Sequence, residues 1–319
     1  MSKSNFQYVF GPVPSRRLGR SLGISPIPPK TCNFTCIYCQ LGRTTNFTNK
    51  REEFYPLNEI INELKDALKQ KIEFDYITIV GDGEPTLYNR LGELISAIKN
   101  LTSKPVAVIT NGALLYEEAV RNDLLEADIV MPTLDAFNEK MFRIINRPHK
   151  ELKLNRIIEG MSLFRKQYKN QLWMEVMLVR DKNDSLETLK EIKKIIDFIG
   201  VDKTFINIPI RPPAEKWVQI PSQERLTIAK EILEAESISH YDEILVESLD
   251  VLADYETQIL EITQRHPLRE EQILSLFSDL SKEQTLSIIN DMEHKGIIEL
   301  TIYNEQRYWS IPQKRKKEK

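Results

Sequence analysis

Three cysteines, Cys32, Cys36 and Cys39, fall within eight residues of the 319-residue sequence, and no other cysteine occurs. An odd count cannot be fully paired within one chain, and a secreted disulfide framework would spread its cysteines out. A reducing, cytoplasmic setting fits better. Three thiols this close suit a metal more than packing. Zinc takes four ligands in a structural site, and the histidines (His149, His240, His266 and His294) are all far along the chain. A zinc would therefore need a fourth ligand brought in by the fold. Thiolates equally suit iron–sulfur clusters, which normally take four cysteines. A four-iron cluster on only three thiolates leaves one iron open, and a small molecule must complete it. That makes the open iron a reaction site.

The elements that must position such a loop alternate between strand and helix. Gly19 to Ile27 reads as a short strand leading into the cysteines. Leu57 to Gln70 carries Leu57, Ile60, Ile61, Leu64 and Leu68 at helical period. DYITIVGDGEP begins β-rich and ends in glycines. Leu91 to Leu101 is helical, Val106 to Gly112 a strand broken at Asn-Gly, LLYEEAVRNDLLE helical and ADIVMPTLDA a strand. A helix from Lys153 to Tyr168 precedes a strand from Leu172 to Arg180. LETLKEIKKIIDFIG is an amphipathic helix with Gly200 as its C-cap, and TFINIPIRPP is a sixth strand stopped by prolines. Strands alternating with helices imply a parallel sheet, and apolar runs such as ITIV and VAVIT fit burial on both faces. Ligands of such sheets sit at the carboxyl ends of the strands.

The length corresponds to about two domains. With 41% apolar and 29% charged residues the composition is that of a globular protein. Forty-four basic against forty-seven acidic side chains give a net charge of −3, which excludes a protein held to nucleic acid by its overall field. The N-terminal residues lack the apolar core of a secretory signal, and no apolar run is long enough to span a membrane.

The run Cys32-Asn-Phe-Thr-Cys36-Ile-Tyr-Cys39 has C-x3-C-x2-C spacing with an aromatic before the last cysteine, and it resembles the radical SAM superfamily. That resemblance implies a partial (βα)6 TIM-like barrel, an α/β fold, over roughly Gly19 to Pro213. It implies a [4Fe-4S] cluster on Cys32, Cys36 and Cys39, with S-adenosylmethionine on the fourth iron. One electron then breaks the S–C5′ bond, and the resulting 5′-deoxyadenosyl radical takes a substrate hydrogen. The cofactor carries the chemistry and the protein positions it. No individual catalytic residue is assigned. Glycines in Gly81-Asp82-Gly83-Glu84-Pro85 permit close backbone approach, and the resemblance gives the backbone of Asp82, Gly83 and Glu84 the methionine amine. It puts Asn111, in a turn-forming Asn-Gly pair, near the methionine moiety or the substrate. It directs Thr133 and Asp135 toward the ribose hydroxyls or the carboxylate region of the cofactor. Tyr38 is expected beside the adenine, or simply supporting the cluster loop. Glu175, in a buried run, needs a partner, either a cofactor hydroxyl or an arginine. Arg16, Arg17, Arg20, Arg147, His149 and Arg211 gather near the expected mouth, where they would read an anionic substrate or else form surface salt bridges.

A boundary is expected after Pro213, with residues 1–249 as the barrel and its extensions and 250–319 as a second domain. Helices over Leu252 to Arg265, Arg269 to Phe277 and Ser281 to Lys295, then two strands around Asn304-Glu305, resemble a winged helix-turn-helix. From Asp250 to Gln313 there are twelve acids against five bases, a net of −7. Phosphate contacts dominate DNA affinity, so protein docking or substrate presentation is expected there rather than DNA binding. The basic tail Lys314-Arg315-Lys316-Lys317 could touch RNA.

The longer pattern PSRRLGRSLGI, CNFTCIYCQ, GDGEPTL and RPPAE is most similar to the radical SAM group containing wyosine-type tRNA-modifying enzymes, which implies RNA modification. The second cysteine cluster of the wyosine-forming enzymes has no counterpart in this sequence. The chain also has no flavodoxin-like domain, so an external flavodoxin or ferredoxin is implied as electron donor. Two alternatives stand beside this reading: a radical enzyme or activase acting on a peptide or protein, and a non-catalytic zinc-binding regulator.

Overall fold

The computed structural model describes residues 6–15, 17–70, 72–236, 254–277 and 279–312. The expected boundary near Asp250, His240, Arg16 and the basic tail lie outside them.

The chain opens with an antiparallel pair, β1 (Val9–Ser15) and β2 (Gly19–Ile24), followed by two short strands of the cysteine loop, β3 (Thr31–Cys32) and β4 (Asn46–Phe47). The alternating part then runs α1 (Leu57–Lys69), β5 (Tyr76–Val80), α2 (Leu91–Leu101), β6 (Val106–Thr110), α3 (Glu118–Asp123), β7 (Ile129–Pro132), α4 (Glu139–Ile145), α5 (Leu154–Gln167), β8 (Gln171–Met177), α6 (Leu186–Ile199), β9 (Lys203–Asn207) and α7 (Gln223–Leu233). The strands form one sheet in the order β1-β2-β5-β6-β7-β8-β9, and every pair except β1–β2 is parallel. This is the expected α/β fold with a parallel sheet.

β1 has no counterpart among the expected strands, because its run VFGPVPS carries two prolines and a glycine. An edge strand tolerates prolines, since its outward N–H groups need no ladder partner. The turn it forms with β2 carries Leu18 into the sheet's inner face, where Leu18 packs with Ala107, Ile129, Met131, Trp173 and Phe205. The other face packs against α1, α2, α5 and α6 in the main core. α6 begins at Ser185, whose hydroxyl accepts from the Thr188 N–H, and ends at Gly200 in the left-handed region at φ +77.

The second unit comprises α8 (Tyr255–Thr263), β10 (Leu268–Arg269), α9 (Glu270–Leu276), α10 (Lys282–His294), β11 (Glu299–Tyr303) and β12 (Gln306–Ser310). Its sheet runs β10-β12-β11. Asn304 and Glu305, both at positive φ, turn β11 into β12. Ile259, Ile273, Phe277, Ile289, Met292 and Trp309 form its separate core. Two tyrosines fasten the β11–β12 hairpin to the segment after β9: the Tyr303 hydroxyl donates to the Pro209 carbonyl at 2.6 Å, and Tyr308 to that of Ile210 at 2.8 Å. Among the described residues no helix is long and apolar enough to cross a membrane.

Candidate cluster and cofactor site

The cysteine loop begins where β2 ends and is held by its backbone. Ile37 N–H donates to the Ile145 carbonyl and Thr35 N–H to that of Asn146, while His149 N–H returns to the Asn33 carbonyl. These bonds fasten the loop to the turn after α4. Cys39 N–H donates to the Cys36 carbonyl at 3.2 Å, closing a tight turn around the last two cysteines.

All three thiols line one cavity of about 220 Å³, together with Lys30, Tyr38, Gly83, Glu84, Asn111 and Thr133 among others. It lies at the carboxyl ends of β5, β6 and β7, as the strand topology requires. The surrounding protein pushes all three thiols up, through burial first. Glu84 and Cys36 add to this at Cys32, and Asp135 and Cys39 at Cys36. As free thiols they are neutral, and metal loading must displace their protons. Asn111 Nδ2 lies 3.8 Å from Cys32 Sγ, Asn146 Nδ2 lies 3.7 Å from Cys36 Sγ, and the Phe34 N–H lies 3.4 Å from Cys32 Sγ. Donors aimed at thiolate sulfur are the outer support that cluster sites use. Among the described residues, no three histidine, cysteine or carboxylate side chains gather around a single ion. Three soft donors lining one cavity are the ligand type that iron–sulfur clusters take.

The Asp82–Glu84 segment is bound to the cysteine loop. Lys30 N–H donates to the Asp82 carbonyl at 2.6 Å and Glu84 N–H to that of Thr31 at 3.0 Å. A Cβ on Gly83 would overlap the Thr31 carbonyl oxygen, so only glycine permits this approach. The Glu84 carboxylate is buried and turned into the fold. It accepts from Thr86 N–H at 3.0 Å, from the Thr86 and Thr110 hydroxyls at 2.5 Å each, and from the Asn111 N–H at 2.7 Å. Burial raises its pKa and these donors oppose the rise. Glu84 thus ties the end of β5 to the end of β6 and fixes Asn111, whose Nδ2 donates to Asn33 Oδ1 at 2.7 Å.

Two residues expected at the cofactor, Asp135 and Glu175, have partners within the protein. Asp135 does not present its carboxylate to the cavity. It is 2% exposed and accepts from Tyr38 Oη at 2.5 Å, Asn146 Nδ2 at 2.7 Å and Met177 N–H at 2.8 Å. Buried this deeply it needs every donor within reach, and its effect is to hold Tyr38. Glu175 is buried and pairs with Arg17 at 2.7 Å, an arginine being one of its two expected partners. Arg147, expected at an anionic substrate, instead joins Arg43 on Glu215. Burial alone would raise the Glu215 pKa, but the two guanidiniums outweigh it and hold it low. Arg211 donates to Gln40 Oε1 at 2.8 Å. Asn146 stood in no motif, and Asn33 and Glu215 stood inside the runs CNFTCIYCQ and RPPAE without being singled out, because each matters through partners distant in sequence.

Three thiols at the carboxyl ends of a parallel α/β sheet, beside a glycine loop that can approach a ligand, define an iron–sulfur enzyme site. The Radical SAM superfamily model matches residues 27–199, and the chain belongs to that superfamily. It is therefore an enzyme that uses a [4Fe-4S] cluster and S-adenosylmethionine. It is 39% identical over 293 residues to the UPF0026 protein MJ1312 of Methanocaldococcus jannaschii, covering 90% of each chain. It is 45% identical over 234 residues to a Brachyspira hyodysenteriae protein called GTPase Obg, covering 73% of this chain but 34% of that one. The chain thus spans about a third of that relative's length. Its fold is like that of a radical SAM methyltransferase from Sphaerobacter thermophilus, with a TM-score of 0.51 and 14% identity over 72% of this chain and 68% of that one. It is equally like Streptococcus suis SuiB, at TM-score 0.51 and 17% identity over 69% and 49% of the two chains.

Proposed function

We propose that this chain cleaves S-adenosylmethionine reductively and uses it to abstract hydrogen from a substrate entering at the carboxyl ends of the strands. The observation that carries this reading is the shared cavity of Cys32, Cys36 and Cys39 with Gly83, Asn111 and Thr133. When bound, the cluster supplies one electron and S-adenosylmethionine the hydrogen-abstracting fragment. The residues of this chain do the rest. The three thiolates hold the cluster, with Asn111 and Asn146 as donors to sulfur. The backbone of Asp82, Gly83 and Glu84 receives the methionine amine, while Asn111 and Thr133 face the same ligand. Tyr38, held by Asp135, forms the wall beside it. An external reductant supplies the electron.

RNA is the first candidate substrate, because the motifs are most similar to the wyosine-type group. Two more distant relatives are named as a probable GTP 3′,8-cyclase and a probable dual-specificity RNA methyltransferase, both of which act on nucleotides by their names. A peptide or protein is the second candidate, favoured by the acidity of the C-terminal unit, which we read as a winged-helix-like docking domain over residues 250–319. Anaerobic reconstitution tests the core of the proposal. About four irons per chain and 5′-deoxyadenosine formed from S-adenosylmethionine with dithionite are expected. A colourless protein holding zinc overturns it.

A further inference from the structure

A cavity larger than the one that holds the cysteines lies beside it. A groove of about 500 Å³ runs between the barrel rim and the C-terminal unit, within the size range of small-ligand sites. Its barrel side includes Lys30, Gln40 and Lys216, and its other side includes His266 and all of β11. Lys30, Gln40 and Leu41 also line the cysteine cavity, so the two spaces meet at Lys30.

Two lysines, Lys30 and Lys216, and one glutamate, Glu299, line the groove. The half-buried Lys30 side chain has no ion-pair or hydrogen-bond partner among the described residues, and Glu299, across the same groove, is the acidic side chain whose charge reaches it. A half-buried ammonium without a partner loses hydration that nothing in the chain returns. The exposed Lys216 lines the same groove, and Arg211 beside it orients Gln40. His266 Nδ1 is buried with no hydrogen-bond partner. One aromatic side chain, Tyr303, lines the groove with the two lysines. Lysine binds phosphate as a point charge, and an aromatic ring beside cations suits a nucleobase.

We propose that this groove is a substrate subsite for a nucleotide phosphate, seated on Lys30 and Lys216 where the groove opens toward the cysteines. The proposal rests on the radical SAM reading for its purpose but not for its test, which measures binding. The same phosphate could come from a free nucleotide or from an RNA chain.

The test uses reconstituted holoprotein with saturating S-adenosylmethionine, so that the adenosine pocket is filled. Titrations with 5′-AMP, 5′-GMP and an octauridylate are compared with guanosine and with succinate. Phosphate-bearing probes are expected to bind, and guanosine and succinate at least about tenfold more weakly, the change expected from losing a charge-assisted contact. Lys30→Met and Lys216→Met should each weaken nucleotide binding several-fold, while Lys30→Arg retains it. Iron content, read on each variant, separates loss of the loop from loss of the subsite, and Lys216→Met remains informative if Lys30→Met loads poorly. Octauridylate binding much tighter than the mononucleotides assigns the phosphate to RNA, and equal affinities assign it to a free nucleotide. Equal binding of succinate, or nucleotide binding indifferent to both lysines, overturns the proposal. Failure to cleave S-adenosylmethionine alongside intact nucleotide binding would instead count against the catalytic reading alone.

Discussion

The Arg265 guanidinium lies 3.1 Å from the Asp82 carboxylate, and the two side chains are only 16% and 12% exposed. Arg265 also stacks over Phe10, 4.1 Å from the ring centroid, and donates to the Gln7 carbonyl at 3.2 Å. One residue of the C-terminal unit therefore holds both the N-terminal strand and the loop that carries Gly83 and Glu84. Burial raises the Asp82 pKa, and Arg265 is the charge that opposes the rise. Arg265→Ala leaves a largely buried carboxylate without its cation, a change that costs about 3 kcal/mol in comparable pairs. The variant is expected to melt earlier and to bind S-adenosylmethionine several-fold more weakly, by thermal melting and calorimetry. Arg265→Lys should restore part of both. Unaltered binding in Arg265→Ala would separate the C-terminal unit from the cofactor loop.

Gly83→Ala tests the approach of two loops. Its new methyl would meet the Thr31 carbonyl, which is backbone and cannot turn aside. The loops must part, breaking the Glu84–Thr31 and Lys30–Asp82 bonds. Loss of stability of about 2 kcal/mol or more is expected, with reduced iron uptake, measured by urea unfolding and iron assay. Normal loading would show that the contact is not needed.

Arg17 and Glu175 form a pair whose side chains are 17% and 8% exposed. Arg17→Met should destabilise the fold by about 3 kcal/mol, because it strands a carboxylate inside the sheet. Adding Glu175→Gln should recover most of that loss. Additive effects in the double-mutant cycle would rule out coupling.

Asp135 makes stability pH-dependent. Burial pushes its carboxyl up to about 6 from 3.8, against hydrogen bonds from Tyr38, Asn146 and Met177. The folded state holds this proton more tightly than the unfolded chain. Its stabilising contribution is therefore full below about pH 4 and lost as the pH rises through about 6. The amount is on the order of 3 kcal/mol. Asp135→Asn carries no such proton. Parent minus variant unfolding free energy should fall by that amount between pH 4 and pH 7, and a flat difference would refute the shift.

Cys36→Ala should abolish S-adenosylmethionine cleavage and most of the iron–sulfur absorbance, because the chain holds no fourth cysteine to replace a lost ligand. Turnover at the parent rate would remove the cysteines from the chemistry.

Much of this was legible in the chain because it is local. The C-x3-C-x2-C run puts its thiols on one loop whatever surrounds it, and helical periods such as Ile60, Leu64 and Leu68 mark faces that pack on the core. β1 was not legible, because its prolines are acceptable only at an edge, and an edge is a property of the sheet. The roles of Asp135 and Glu175 were not legible either. A buried carboxylate announces that it needs a partner but does not name one.

The sequence by itself determined the soft-donor trio, the alternation of strands and helices, and the acidic balance of the C-terminal segment, since spacing, period and charge are read from neighbours. Only the tertiary structure decided that Arg17 meets Glu175, that Tyr38 meets Asp135, that Arg265 reaches Asp82, and that Lys30 stands between two cavities. Those pairings join residues up to 183 positions apart. Burial and charge select such partners only after the chain has closed around them.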